Sequence, residues 1–157
     1  MELTIEQALQ QGVTAHKEGK LEDAERLYRA ILQSQPAHPD ANHNLGVVAV
    51  SVNKADEALP LFKIALEANP KIEQFWLSYI EALIKEKQFD NAKAVLEQAK
   101  QQGVAEEKLN ALEERLALIV QAPKSTLSEQ KNSLTFSEKR KKLAEQKTRK
   151  KTKKQNL

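Results

Sequence analysis

DANHNLGVVAVSVNKADEALPLFKIALEANP, residues 40–70, has imperfect copies of itself on both sides. A displacement of 34 residues puts Gly12 on Gly46, Ala15 on Ala49, Ala24 on Ala58, Tyr28 on Phe62 and Pro36 on Pro70. The same step puts Lys20 on Lys54 and the acidic pair Glu22-Asp23 on Asp56-Glu57. In the other direction Ala92, Leu96 and Ala99 fall on Ala58, Phe62 and Ala65. A fixed period of this length marks a repeat architecture, in which each unit buries its apolar face on the next.

Each unit reads as two helices. In the first, Thr4 and Gln7 form a capping box, Ile5, Ala8, Leu9, Val13 and Ala15 supply an apolar face, and Gly19 suits a left-handed stop. Leu21, Ala24, Leu27, Tyr28, Ile31 and Leu32 follow at helical spacing, and Pro36 forbids continuation. In the second unit Asp40 is the expected cap of a helix over Ala41–Val52. Asn53 takes the place of Gly19, and Pro60, just past the first turn of the next helix, is expected to bend it mildly. The third unit is degenerate, with helices over Glu73–Glu86 and Phe89–Gln102. A seventh helix, about residues 105–120, carries Leu109, Leu112, Leu116 and Ile119 on one side and mainly charges on the other. It reads as a cap, because nothing further covers it.

The composition agrees with helices. Ala, Leu, Glu, Lys and Gln dominate, and four glycines with five prolines are too few for a loop-rich β protein. The absence of cysteine excludes disulfides, thiolate catalysis and Cys-ligated metal sites, and it fits a reducing compartment. The acidic N-terminus lacks the form of a signal peptide, and runs such as Leu116–Val120 are too short to span a bilayer. A cytoplasmic location is the expectation.

Charge is divided unevenly. Residues 1–120 carry 13 Lys/Arg and 19 Asp/Glu, net −6, whereas residues 121–157 carry 12 and 3, net +9. Such asymmetry separates a folded array, residues 4–120, from a basic tail or linker, residues 121–157. The tail has too little apolar surface to fold alone. Lys139, Arg140, Lys141, Lys142, Arg149, Lys150, Lys151, Lys153 and Lys154 suit contact with nucleic acid or anionic lipid.

The motif resembles the tetratricopeptide repeat over residues 5–103. The middle unit carries the hallmark residues Leu45-Gly46, Ala49, Ala58, Phe62, Ala65 and Pro70. The first unit has Gln11 where the family prefers Leu. The third has Ile80 where Gly is expected and lacks the closing proline. NHNLG at residues 42–46 and ALEANP at residues 65–70 also resemble repeats that precede bacterial glycosyltransferase-like or sulfotransferase-like domains. The resemblance implies an all-α, right-handed helical-hairpin solenoid of three units, about residues 5–38, 39–72 and 73–104, plus the capping helix.

It also implies a concave groove lined by the first helix of each unit. The corresponding positions are Glu6, Leu9, Gln10, Val13 and Lys17, then Asp40, His43, Asn44, Val47 and Ser51, then Gln74, Leu77, Ser78, Glu81 and Lys85. Aliphatics and amides in this mixture suit an extended peptide, and Asn44 falls where related repeats hold a peptide backbone. The family's carboxylate-gripping mode is disfavoured. Its positions carry Leu9, Val13, Asn44, Gln74 and Ser78, so no cation remains to pair with a carboxylate.

Catalytic chemistry finds little support. His16, His38 and His43 lack clustered ligands, the four glycines are isolated rather than phosphate-cradling, and no base is fixed beside a nucleophile. The expected function is therefore a non-catalytic protein-interaction module or scaffold without cofactors. Two alternatives stand beside it: an N-terminal targeting arm of a larger transferase-like enzyme, and polyanion binding through the tail.

Overall fold

The computed structural model describes residues 2–121, so the basic cluster between Lys139 and Lys154 lies outside the described residues. All seven elements among the described residues are helices: α1 (Ile5–Lys17), α2 (Leu21–Ser34), α3 (Pro39–Ser51), α4 (Ala55–Ala68), α5 (Glu73–Lys85), α6 (Phe89–Gln101) and α7 (Glu106–Gln121). The chain divides into two units, Met1–Leu116 and Ala117–Leu157, and the first contains three consecutive helical hairpins.

Each hairpin turns by the same device at the same step. Gly19, Asn53 and Lys87 adopt positive φ values of 78°, 62° and 59°. The next amide, that of Lys20, Lys54 or Gln88, reaches back to the carbonyl of Ala15, Ala49 or Leu83 at 2.8, 2.8 and 2.9 Å. This satisfies carbonyls that the helix end leaves free. Lys87 holds the position at a steric cost of about 1–2 kcal/mol that glycine avoids.

Helix starts are periodic too. Thr4, His38 and Ile72 are the N-caps of α1, α3 and α5. Thr4 and Gln7 complete the expected capping box at 3.0 and 3.1 Å. The cap of α3 is His38 rather than Asp40: its Nδ1 accepts the Ala41 amide at 3.1 Å, and Pro39 is the first helical residue. Proline loses nothing there because that amide has no helical partner. Asp40 instead sits in the first turn, where its charge complements the helix dipole. Pro60 is exposed within an uninterrupted α4.

The core lies between the two helices of each hairpin. Gly12 and Gly46 are buried against rings: a Cβ on Gly12 would fall 2.6 Å from Tyr28 Cε1, and one on Gly46 would fall 2.4 Å from Phe62 Cε1. The third hairpin fills the same space with Ile80 and Leu96, both fully buried, so a branched side chain on one helix is matched by a smaller one on the other. Successive hairpins are joined by a second recurring contact. Asn42 Nδ2 donates to the carbonyl of Pro36 at 3.0 Å, and Trp76 Nε1 donates to that of Pro70 at 2.8 Å. Both donors sit one period apart and grip the proline that closes the preceding unit.

Beyond α6, Gly103 with φ 84° precedes α7. Leu109, Leu112 and Leu116 are buried, while Lys108 bonds Glu73 at 2.8 Å and Lys100 bonds Glu113 at 3.1 Å. The Lys108 hydrogen bond holds the Glu73 carboxyl below its ordinary pKa.

Gly46→Ala should destabilise the array by about 1–3 kcal/mol through overpacking. Adding Phe62→Leu should recover part of that loss, as the Ile80–Leu96 pair does. Urea denaturation followed by helical circular dichroism checks both. A Gly46→Ala chain as stable as wild type would show that the hairpin spacing is not set by this contact.

Candidate interaction face

The first helices α1, α3 and α5 lie side by side, so positions on equivalent faces form rows across the array. One row is Leu9, His43 and Leu77; the next is Gln10, Asn44 and Ser78; a third is Val13, Val47 and Glu81. Leu9, Val13, Asn44, Val47 and Leu77 are half-buried, and Leu9 and Val47 pack on the core behind. Gln10, Lys17, Asp40, Gln74 and Lys85 are exposed.

The centre of this face is a polar cluster. His43 is only 8% exposed, with its ring stacked on Phe75 at 4.7 Å between centroids and tilted against Phe62 at 5.5 Å. Its Nε2 lies 2.8 Å from Ser78 Oγ, and its Nδ1 lies 3.3 Å from Asn44 Oδ1. Gln74 Nε2 donates to Ser78 Oγ at 3.2 Å. Four of the expected groove residues are thus brought together, and the His43–Ser78 bond ties α3 to α5. His43 and Ser78 are buried and mutually bonded, whereas Asn44 is half-buried with no hydrogen bond to its Nδ2 among the described residues, and Gln74 is exposed with its Oε1 likewise unengaged. Glu81 faces Arg115 of α7 at 4.0 Å, and Ser51 donates to the Val47 carbonyl at 2.9 Å. The two aromatic supports of His43 and the arginine beside Glu81 were not foreseen in the sequence.

Burial pushes the His43 pKa below its ordinary 6.5, opposed by the Asn44 hydrogen bond and the Asp40 charge. Among the described residues no group of three or more His, Cys, Asp or Glu side chains is placed to hold a metal ion, and no helix is long and apolar enough to cross a membrane. Two recesses lie away from this face, against successive second helices. One of about 300 Å³ is floored by Leu45, Val48 and Val52 and rimmed by Arg29 and Pro60. The other, of about 530 Å³, includes Trp76, Tyr79 and Val95.

Models described as tetratricopeptide repeat match residues 49–116 and residues 9–51. The chain is a tetratricopeptide repeat protein. Among solved structures it is similar to the Sgt2 TPR domain from Aspergillus fumigatus, with a TM-score of 0.68, 16% identity and coverage of 77% of this chain and 82% of that one. The TPR2B domain of yeast Sti1, in a complex with pHsp70, gives a TM-score of 0.67 at 17% identity over 73% of this chain and 96% of that one. The Yersinia enterocolitica type III secretion chaperone SycD, bound to a peptide of the translocator YopD, gives 0.63 at 19% over 80% and 96%. At these identities the likeness is one of fold. Comparison with curated protein sequences finds no match.

The lowered His43 pKa has a defined consequence for this tetratricopeptide array. The folded chain favours the neutral ring, whereas the unfolded chain takes up the proton as pH falls below about 6.5. The contribution is therefore fully present above that value. It declines as pH drops toward the lower folded pKa, below which this group adds no further loss. Urea midpoints measured across this window should fall more steeply for wild type than for His43→Phe. Parallel profiles would assign the acid sensitivity to other groups.

Proposed function

We propose that the array is a non-catalytic protein-interaction module that takes an extended peptide across α1, α3 and α5. The observation that carries this reading is the free end of Asn44: its Oδ1 is engaged by His43, while Nδ2 has no protein partner among the described residues. Half-buried Leu9, Val13 and Val47 beside it provide shallow apolar seats for alternate side chains. An extended backbone offers carbonyls to such a donor and side chains to such seats. Sgt2, Sti1 and SycD share this fold, and the Sti1 and SycD structures contain pHsp70 and a YopD peptide respectively, which supports a peptide as the partner class here.

Selection from a displayed library of unstructured peptides provides a probe that needs no prior partner. Bound peptide should shift the backbone amide resonances around Gln10, Val13, Asn44 and Val47. The double substitution Asn44→Ala, Val47→Ala should weaken binding roughly tenfold, on the order of one hot-spot contact, with helical content unchanged. Resonance changes confined to the recess between α2 and α4, with full affinity in the double variant, would sink the reading.

A further inference from the structure

The polar cluster on the interaction face has a fixed proton order. Gln74 Nε2 can only donate, so Ser78 Oγ accepts from it at 3.2 Å. Asn44 Oδ1 can only accept, so His43 Nδ1, 3.3 Å away, carries the proton. A neutral ring protonated at Nδ1 has its lone pair at Nε2, which then receives the Ser78 hydroxyl proton at 2.8 Å. Donation therefore runs from Gln74 to Ser78 to His43 to Asn44. Phe75 is stacked on the ring and Phe62 is tilted against it.

Resting on the peptide-binding reading, we propose that His43 is the positioning residue of this face. It holds the Asn44 oxygen inward, so that Asn44 presents only N–H donors and selects a carbonyl oxygen, not an amide, of the bound chain. The backbone of an extended peptide supplies such an acceptor at every residue. The partner's side chains are then read by the half-buried Leu9, Val13 and Val47, while the central hydrogen bond is independent of sequence.

The same order makes the face responsive to acid. A second proton on His43 turns Nε2 into a donor. Ser78 Oγ must then accept from both His43 and Gln74, and its own proton turns away from the ring. The surroundings of the ring contain few charges. Phe62 faces it from α4, and Phe75, Ser78 and Gln74 face it from α5, none of which titrates in this range. The charged group acting on it is Asp40, on α3 itself.

Nitrogen-15 NMR of the imidazole tests the assignment without any partner. Neutral wild-type His43 should show the Nδ1–H tautomer, with a titration midpoint below 6.5. The Asn44 side-chain amide protons should be sharply resolved in wild type and should collapse toward solvent-averaged values in His43→Phe. A peptide selected on the wild-type array should bind His43→Phe roughly three- to tenfold more weakly, the span one neutral hydrogen bond supports, although residue 43 does not touch it. His43→Gln replaces the Phe variant if the latter fails to fold. An Nε2–H tautomer, or an Asn44 amide unchanged in the variant, overturns the proposal even if peptides bind. Failure of every library peptide to bind removes the peptide-binding reading and leaves the tautomer result to decide the role of His43.

Discussion

A ring packed closely against a glycine sets the geometry of the helical hairpin. With Phe62 Cε1 2.4 Å from the place a Gly46 Cβ would occupy, α3 and α4 approach more closely than side chains on both would permit. Ala49, Ala58 and Ala65 are buried along the same seam for the same reason. The first unit uses the contact again with Tyr28 on Gly12, and there the phenol hydroxyl is buried without a protein partner among the described residues. A stranded hydroxyl of that kind costs about 1–3 kcal/mol. What the seam requires is the width of the ring, which phenylalanine supplies without a polar end. The third unit shows the requirement is volume and not glycine as such, since Ile80 and Leu96 divide the space differently.

Most of this was readable because it is local or periodic. The capping box at Thr4 and Gln7 spans one turn, and the left-handed positions at Gly19 and Asn53 are announced by residues that tolerate positive φ cheaply. Lys87 was not announced. Nothing in a lysine suggests φ of 59°, and only the step of 34 residues from Asn53 points to it. The cap of α3 was misplaced for a related reason. Asp40 is the stronger capping residue by type, but Pro39 fixes the first helical position and leaves His38 as the residue before it. Backbone geometry outranked side-chain preference.

The interaction face was less legible, and the repeat itself explains why. A periodic reading sets His43 beside its own equivalents, Leu9 and Leu77, which are aliphatic. In the folded array it meets Ser78, 35 residues away and one row over. Contacts between rows do not appear in an alignment of the repeat with itself. The same blindness hid the grip of Asn42 on Pro36 and of Trp76 on Pro70, where two unlike side chains do one task.

The polar centre of the face follows in part from burying a histidine where the other units carry a half-buried leucine. Leu9 and Leu77 need no partners. An imidazole in the same row must find one for each nitrogen or forfeit the desolvation of a polar group. Ser78 and Asn44 meet that demand, and Gln74 completes the hydroxyl. Much of the cluster is accounted for by the internal needs of His43, so its polarity alone says little about recognition. The remainder is more informative. Ser78 both donates and accepts within the cluster, whereas Asn44 spends its oxygen on the ring and leaves its amino group without a partner among the described residues. An aspartate there would satisfy the same histidine nitrogen while presenting an acceptor to solvent. The choice of an amide at residue 44 is what the packing of His43 leaves unexplained, and a carbonyl on a bound chain is the partner we propose for it.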